Sequence, residues 1–178
     1  EGASGVKNPA NTGVVYWAGR VLALFEGGMP VECDFASLYS KGETRMGKSI
    51  PSQSTFTARP RYDPAQERMV GFRYNPVGGG AVNFIEYDAE FGVASKSEVK
   101  IPGYGIFHDV GVTRSKYILH QAPLSFDNLG FTMGLKKSAV DAISFDAAKG
   151  SQFHIVPRDG GEPVVVQAEG AFVLQIIN

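Results

Sequence analysis

The sequence predicts an all-β fold on three observations: many short runs of β-branched and aromatic residues, turn-forming pairs between them, and almost nothing that repeats at helical spacing. Val14-Val15-Tyr16-Trp17 and the run from Arg20 to Glu26 flank the turn pair Ala18-Gly19. Gly27-Gly28 then leads into Val31-Glu32-Cys33-Asp34, which completes a meander of three strands. Its runs are nearly apolar on both faces, the pattern expected of a sheet buried between neighbours. Met69 to Asn75 follows, with Val70, Phe72 and Tyr74 alternating, and then Ala81 to Asp88 and Val93 to Ile101. Phe107 to Thr113, Lys116 to Gln121, Val140 to Asp146, Gln152 to Arg158 and Val164 to Gln167 complete the expected strands. Turn-rich stretches place loops at Lys41 to Ser54, Pro76 to Gly80, Pro102 to Gly105, Ser125 to Ser138 and Asp159 to Pro163.

Grouped by about four strands, the chain restarts near Asn11, Phe56, Phe107 and Phe172, a period on the order of 45 to 65 residues that suits propeller blades. The expected blades are residues 11–52, 56–101 and 106–170, with another starting at 171, all within one domain over 1–178. A β-sandwich gives similar strand counts, and periodicity does not separate the two. Trp17, Phe25, Phe72, Phe84, Phe107, Phe131 and Phe145 read as core.

Composition narrows the function classes. Lys plus Arg number 17 against 18 for Asp plus Glu, so no strong field points to nucleic acid or an anionic membrane surface. Cys33 is the only cysteine, which excludes an internal disulfide and any multi-cysteine zinc or iron–sulfur site. No apolar run approaches the roughly 20 residues that span a bilayer, so the chain is expected not to be transmembrane. The glycines Gly78-Gly79-Gly80 lack the lysine and the strand-to-helix setting of a phosphate loop and read as a hairpin loop. The chain starts at Glu1 and stops at Asn178 after the run Phe172 to Ile177, so both ends are read as cut.

Three stretches carry a family likeness. Residues 11–30 read NTGVVYWAGRVLALFEGGMP, Phe56 to Pro64 read FTARPRYDP, and Phe107-His108-Asp109 precedes Tyr117-Ile118-Leu119-His120-Gln121-Ala122-Pro123-Leu124. Weaker matches run through Phe153 to Arg158 and end at Phe172 to Asn178. Together they resemble the carotenoid cleavage oxygenase family, non-haem iron enzymes that split conjugated polyenes with dioxygen. The resemblance implies a partial β-propeller, about three four-stranded antiparallel blades of a seven-bladed family fold.

In that family histidines from the innermost strands hold Fe(II), and glutamates bond the rings from behind. Carried over position by position, the first histidine falls on Arg59, the second on His108 and the third on Gln175, with one supporting glutamate at Glu26. Arg59 is not a ligand, because a guanidinium has no lone pair to give. An amide such as Gln175 is a poor ligand beside imidazole. The expectation is therefore a metal-free centre in which Arg59 replaces the iron's charge and pairs with Glu26, with Fe(II) only if the family activity is retained. His120 and His154 read as ordinary strand positions.

The resemblance leaves three roles open. One is a diverged relative that binds a carotenoid or other apolar polyene without cleaving it. Another is a structural subunit whose open blade edges are covered by other proteins, with a plastid photosynthetic assembly as the setting. The third is an iron-dependent carotenoid cleavage dioxygenase of which this chain is a fragment.

Overall fold

The computed structural model describes residues 7–74 and 80–177. Gly78 and Gly79 of the expected hairpin loop lie outside the described residues. The described strands form three antiparallel four-stranded sheets and one two-stranded hairpin.

Sheet 1 runs in chain order through β1 (Gly13–Trp17), β2 (Arg20–Leu24), β3 (Val31–Cys33) and β4 (Ser40–Glu43). The β1–β2 turn holds Ala18 at φ 48° and Gly19 at φ 78°. Two consecutive positive φ values give the primed turn whose twist matches the flanking strands, and the glycine takes its share at little cost.

Sheet 2 repeats this order with β5 (Arg61–Asp63), β6 (Arg68–Tyr74), β7 (Ala81–Tyr87) and β8 (Val93–Lys100). Alternation along β6 and β7 buries both of its faces. Val70, Phe72, Val82, Phe84 and Val99 pack with Phe107, Val110, Tyr117, Leu119 and Val156 of the next sheet and its approach. Met69, Ile85 and Tyr87 on the other face pack with Leu22, Leu24, Met29, Met46, Ile50 and Phe56 on the sheet 1 side. Phe84 stacks on Tyr117 with ring centroids 4.0 Å apart. Each such ring removed from water contributes on the order of 1.5–3 kcal/mol.

Sheet 3 has the order β14-β13-β10-β9, from β9 (Gly111–Val112), β10 (Lys116–Gln121), β13 (Ser151–Pro157) and β14 (Val164–Ala168). Between β10 and β13 the chain leaves the sheet for the hairpin of β11 (Leu124–Phe126) and β12 (Ile143–Phe145), which encloses the short helix α1 (Asn128–Thr132). Asp127 caps α1 by accepting from the Gly130 N–H at 2.8 Å. A middle sheet buried on both faces by separate neighbours is a stack of at least three sheets, which removes the two-sheet sandwich.

Several expectations are corrected. Ser40–Glu43, placed partly in a loop, is a strand that pairs with β3. The expected loop Ser125 to Ser138 contains the end of β11 and all of α1. Phe107 to Thr113 is strand only at Gly111–Val112, because Phe107 and Val110 turn into the core while Asp109 takes side-chain partners. Val140 to Asp146 opens with a 3-10 turn over Val140–Ala142 before β12. The run Phe172 to Ile177 forms no strand. Sheet 1 is covered on one face only: Val14 is 75% exposed and Tyr16 59%. Phe131 and Phe145 are exposed on the hairpin excursion, whereas Phe72, Phe84 and Phe107 are core.

Candidate functional site

The extended segment ahead of β5 positions the first site residue. Phe56 and Ala58 are buried, and the Thr57 N–H donates to the Phe72 carbonyl at 2.8 Å, so this stretch is pinned along β6. Gly13 allows the close approach of β1: a Cβ there would sit 2.2 Å from the Ala58 carbonyl oxygen. Thr57 then accepts the Arg59 N–H on its hydroxyl at 3.1 Å, and Pro60 follows. Arg59 emerges half-buried.

His108 lies between two anchored neighbours, the core ring of Phe107 and the buried carboxylate of Asp109. Arg61 grips Asp109 with a fork, Nε to Oδ1 at 3.0 Å and Nη2 to Oδ2 at 2.5 Å. The Val110 N–H donates to the same carboxylate at 2.8 Å and the Ile176 N–H at 2.9 Å, while Arg61 Nη2 also donates to the Ile176 carbonyl. A bidentate guanidinium–carboxylate pair is strong and directional. This one ties β5, the approach to β9 and the run before Asn178 into one knot.

Arg59 and His108 meet beside that knot. Arg59 Nε donates to His108 Nε2 at 3.0 Å. On the opposite edge of the ring, Nδ1 meets Oε1 of Glu26, which lies just beyond β2. The Nε2 lone pair accepts from Arg59, which leaves Nδ1 as the edge of the ring that faces the carboxylate, although Glu26 Oε1 makes no hydrogen bond of regular geometry there. The result is a row of carboxylate, imidazole and guanidinium supplied from sheet 1, the approach to sheet 3 and the approach to sheet 2.

The row corrects the expected pairing. Glu26 takes its partner from His108, and Arg59 reaches that carboxylate only through the ring. Gln175 is exposed and stands outside the row, although its neighbour Ile176 is bound in the Asp109 knot. His154 is buried, with Nε2 2.8 Å from the Gln121 amide oxygen, and burial pushes its imidazole pKa down. His120 packs edge-on against Phe153, and burial lowers its pKa as well.

The knot itself was not assigned from sequence. Its signal was present in Arg-Pro-Arg over 59–61, since residues two apart in an extended chain share a side, and in the acid that directly follows His108.

A second charged cluster joins sheets 2 and 3 away from this row. Arg158, just past β13, donates through Nε to Glu86 at 2.8 Å and through Nη1 to Asp63 at 2.5 Å. The Tyr117 hydroxyl bonds Glu86 Oε1 at 2.5 Å, and Arg68 Nη1 bonds Glu86 Oε2 at 2.7 Å. Burial alone would raise the Glu86 carboxyl, but the bonds from Arg158, Tyr117 and Arg68 carry it below its ordinary value. Burial and the Glu86 charge push the Tyr117 hydroxyl strongly upward.

The stack of four-stranded antiparallel sheets, with side chains from successive sheets meeting in one row, is the arrangement of a β-propeller segment. The profile described as retinal pigment epithelial membrane protein matches residues 2–178, and the chain belongs to that family. It is 30% identical to the apocarotenoid-15,15'-oxygenase of Synechocystis, over 97% of this chain and 36% of the relative. It is 34% identical to resveratrol cleavage oxygenase 1 of Botryotinia fuckeliana, over 64% of this chain and 21% of the relative. A crystal structure of cobalt-substituted Synechocystis ACO superposes with TM-score 0.89 at 29% identity, covering 94% of this chain and 36% of that one. The chain thus spans about a third of the length of the apocarotenoid relative and of this solved structure. The partial β-propeller expected from sequence is the fold found.

A metal in a solved relative raises the question of fit. Arg59 offers no lone pair, and the Nε2 lone pair of His108 is already engaged by the Arg59 N–H. Among the described residues no group of three or more His, Cys, Asp or Glu side chains could hold a metal ion. The row as folded does not fit iron.

Proposed function

We propose that the protein is a diverged member of the carotenoid-oxygenase family that binds an apolar polyene without cleaving it. One observation carries the reading: the N–H of Arg59 points at the ring nitrogen through which His108 would otherwise bind a metal. In this reading Arg59 and Gln175 stand where the family carries ligand imidazoles, and His108 is the retained one. The guanidinium charge takes the place of a cation and offsets Glu26 through the ring.

Metal analysis of the full-length protein, with oxygen-dependent turnover of an apocarotenoid and of resveratrol, tests this. The expected result is no stoichiometric iron and no cleaved product; iron together with product overturns the reading.

A second reading is an iron-dependent cleavage dioxygenase of which this chain is one segment. It is favoured by the Glu26–His108 contact, because a carboxylate on Nδ1 is the support that a metal-binding imidazole needs. It requires Arg59 to leave Nε2, and the same assay decides it.

A structural role in a larger assembly, with a plastid as its setting in this reading, is supported by the exposed apolar face of sheet 1, with Val14 and Tyr16, and by the exposed edge strand β14 of sheet 3, with Val164 to Val166. Those surfaces also suit further sheets of the same propeller, since the apocarotenoid relative extends well beyond this chain. Stable co-purifying subunits would support the assembly; a monomeric full-length protein would end it.

A further inference from the structure

We propose that Arg59 forms a carboxylate site, so that the protein selects the acid form of an apolar polyene over the corresponding alcohol. The proposal rests on the non-cleaving reading and names the ligand chemistry for the same site. Its starting point is an imbalance among the arginines near the sheet junctions. Arg61, Arg68 and Arg158 each pair with a carboxylate, whereas Arg59 makes one side-chain hydrogen bond, to a neutral ring nitrogen. Among the described residues, Arg59 Nη1 and Nη2 meet no partner, and neither is a buried atom left unbonded. They are therefore open at the surface of the row.

A guanidinium that spends Nε on one partner keeps the parallel N–H pair on its two terminal nitrogens, and that end-on fork matches the spacing of carboxylate oxygens. The alternatives fit less well. A cation is repelled by the fixed positive charge, and a hydroxyl engages a single donor and brings no charge.

The row also holds the fork in place. Arg59 is braced by His108, His108 is braced by Glu26, and the backbone on both sides is fixed by the Arg61–Asp109 knot. A fork held before the ligand arrives loses little freedom on binding, which favours affinity.

The test is direct titration of the full-length protein with all-trans-retinoate and all-trans-retinol, which share the polyene and differ at the end group. Retinoate is expected to bind at least about tenfold more tightly, the order of one charge-assisted forked contact. In Arg59→Gln the preference for retinoate disappears, because the change removes the charge and the fork together. Arg59→Lys, which keeps the charge and loses the fork, retains an intermediate preference and covers the case in which the glutamine variant does not fold. Equal affinity for the two probes in the parent protein, or a preference that survives Arg59→Gln, overturns the site. Iron content and turnover on the same preparation keep the two claims apart. Metal-free protein with no acid preference ends the carboxylate site alone, and iron-loaded, active protein ends the non-cleaving reading.

Discussion

Arg158 and Arg59 present two guanidinium groups of the same chain in opposite settings. The Arg158 side chain is 7% exposed and is enclosed by Glu86, Asp63 and the Thr113 carbonyl, beneath the stacked rings that join sheets 2 and 3. Arg59 is half-buried, bonds a single ring nitrogen and leaves its terminal nitrogens open. A buried charge whose partners are complete has no capacity left for a ligand and acts as a strut. A braced charge with donors to spare has that capacity. The difference separates what holds this fold together from what is available for function.

The largest effect that would sharpen this contrast is expected at the strut. Arg158→Leu strands Glu86 and Asp63 with too few donors, and breaking a buried pair in this way costs about 3–5 kcal/mol. Urea unfolding of the full-length protein measures it, and a loss below about 1 kcal/mol would show that the cluster is not a strut. The same cluster predicts an acid limb. Glu86 is held below its ordinary carboxyl value, so its contribution is fully present above about pH 4.3 and is lost as the pH falls through the lowered folded value. Stability of the parent protein should therefore decline below pH 4, with a shallower decline in Arg158→Leu.

A smaller loss is expected from Tyr117→Phe. The change keeps the ring stacked on Phe84 and removes only the hydroxyl that bonds Glu86, a hydrogen bond to a charged group worth about 1.5–3 kcal/mol. A thermal or urea midpoint unchanged from the parent would mean that Arg158 and Arg68 satisfy the carboxylate by themselves.

The two regions also differ in how much of them the sequence disclosed. Strands with alternating or continuous apolar residues were legible: β10 was expected over Lys116 to Gln121 and lies there, β7 and β13 differ from expectation by single residues at their ends, and β6 begins one residue earlier than expected. β4 was missed because Ser-Lys-Gly-Glu is exposed throughout and has no apolar side chain to betray a period. The 3-10 turn at Val140–Ala142 escaped because short apolar runs do not reveal whether they extend or coil. Arg59, His108 and Glu26 could be nominated through the resemblance, but their order of contact could not. Arg59 and His108 are 49 positions apart, and only the folded stack shows that the ring stands between carboxylate and guanidinium. The Arg158 cluster gave no local sign, since its members come from four strands and the residue after a fifth.

The smallest stability effect is expected at Arg59, and it is the one that tests the contrast most directly. Arg59→Leu removes one hydrogen bond at a half-exposed site and leaves His108 Nε2 to water, while the Nδ1 contact to Glu26 and the Arg61–Asp109 knot remain. Exposed charged pairs contribute about 0–1 kcal/mol, and the change in unfolding free energy should fall in that range. Binding, by contrast, should respond strongly, because the only open fork in the row has gone. If Arg59→Leu were as costly as Arg158→Leu, the guanidinium would be bearing the fold rather than facing a ligand, and the division between strut and site would fail at the residue on which it was drawn.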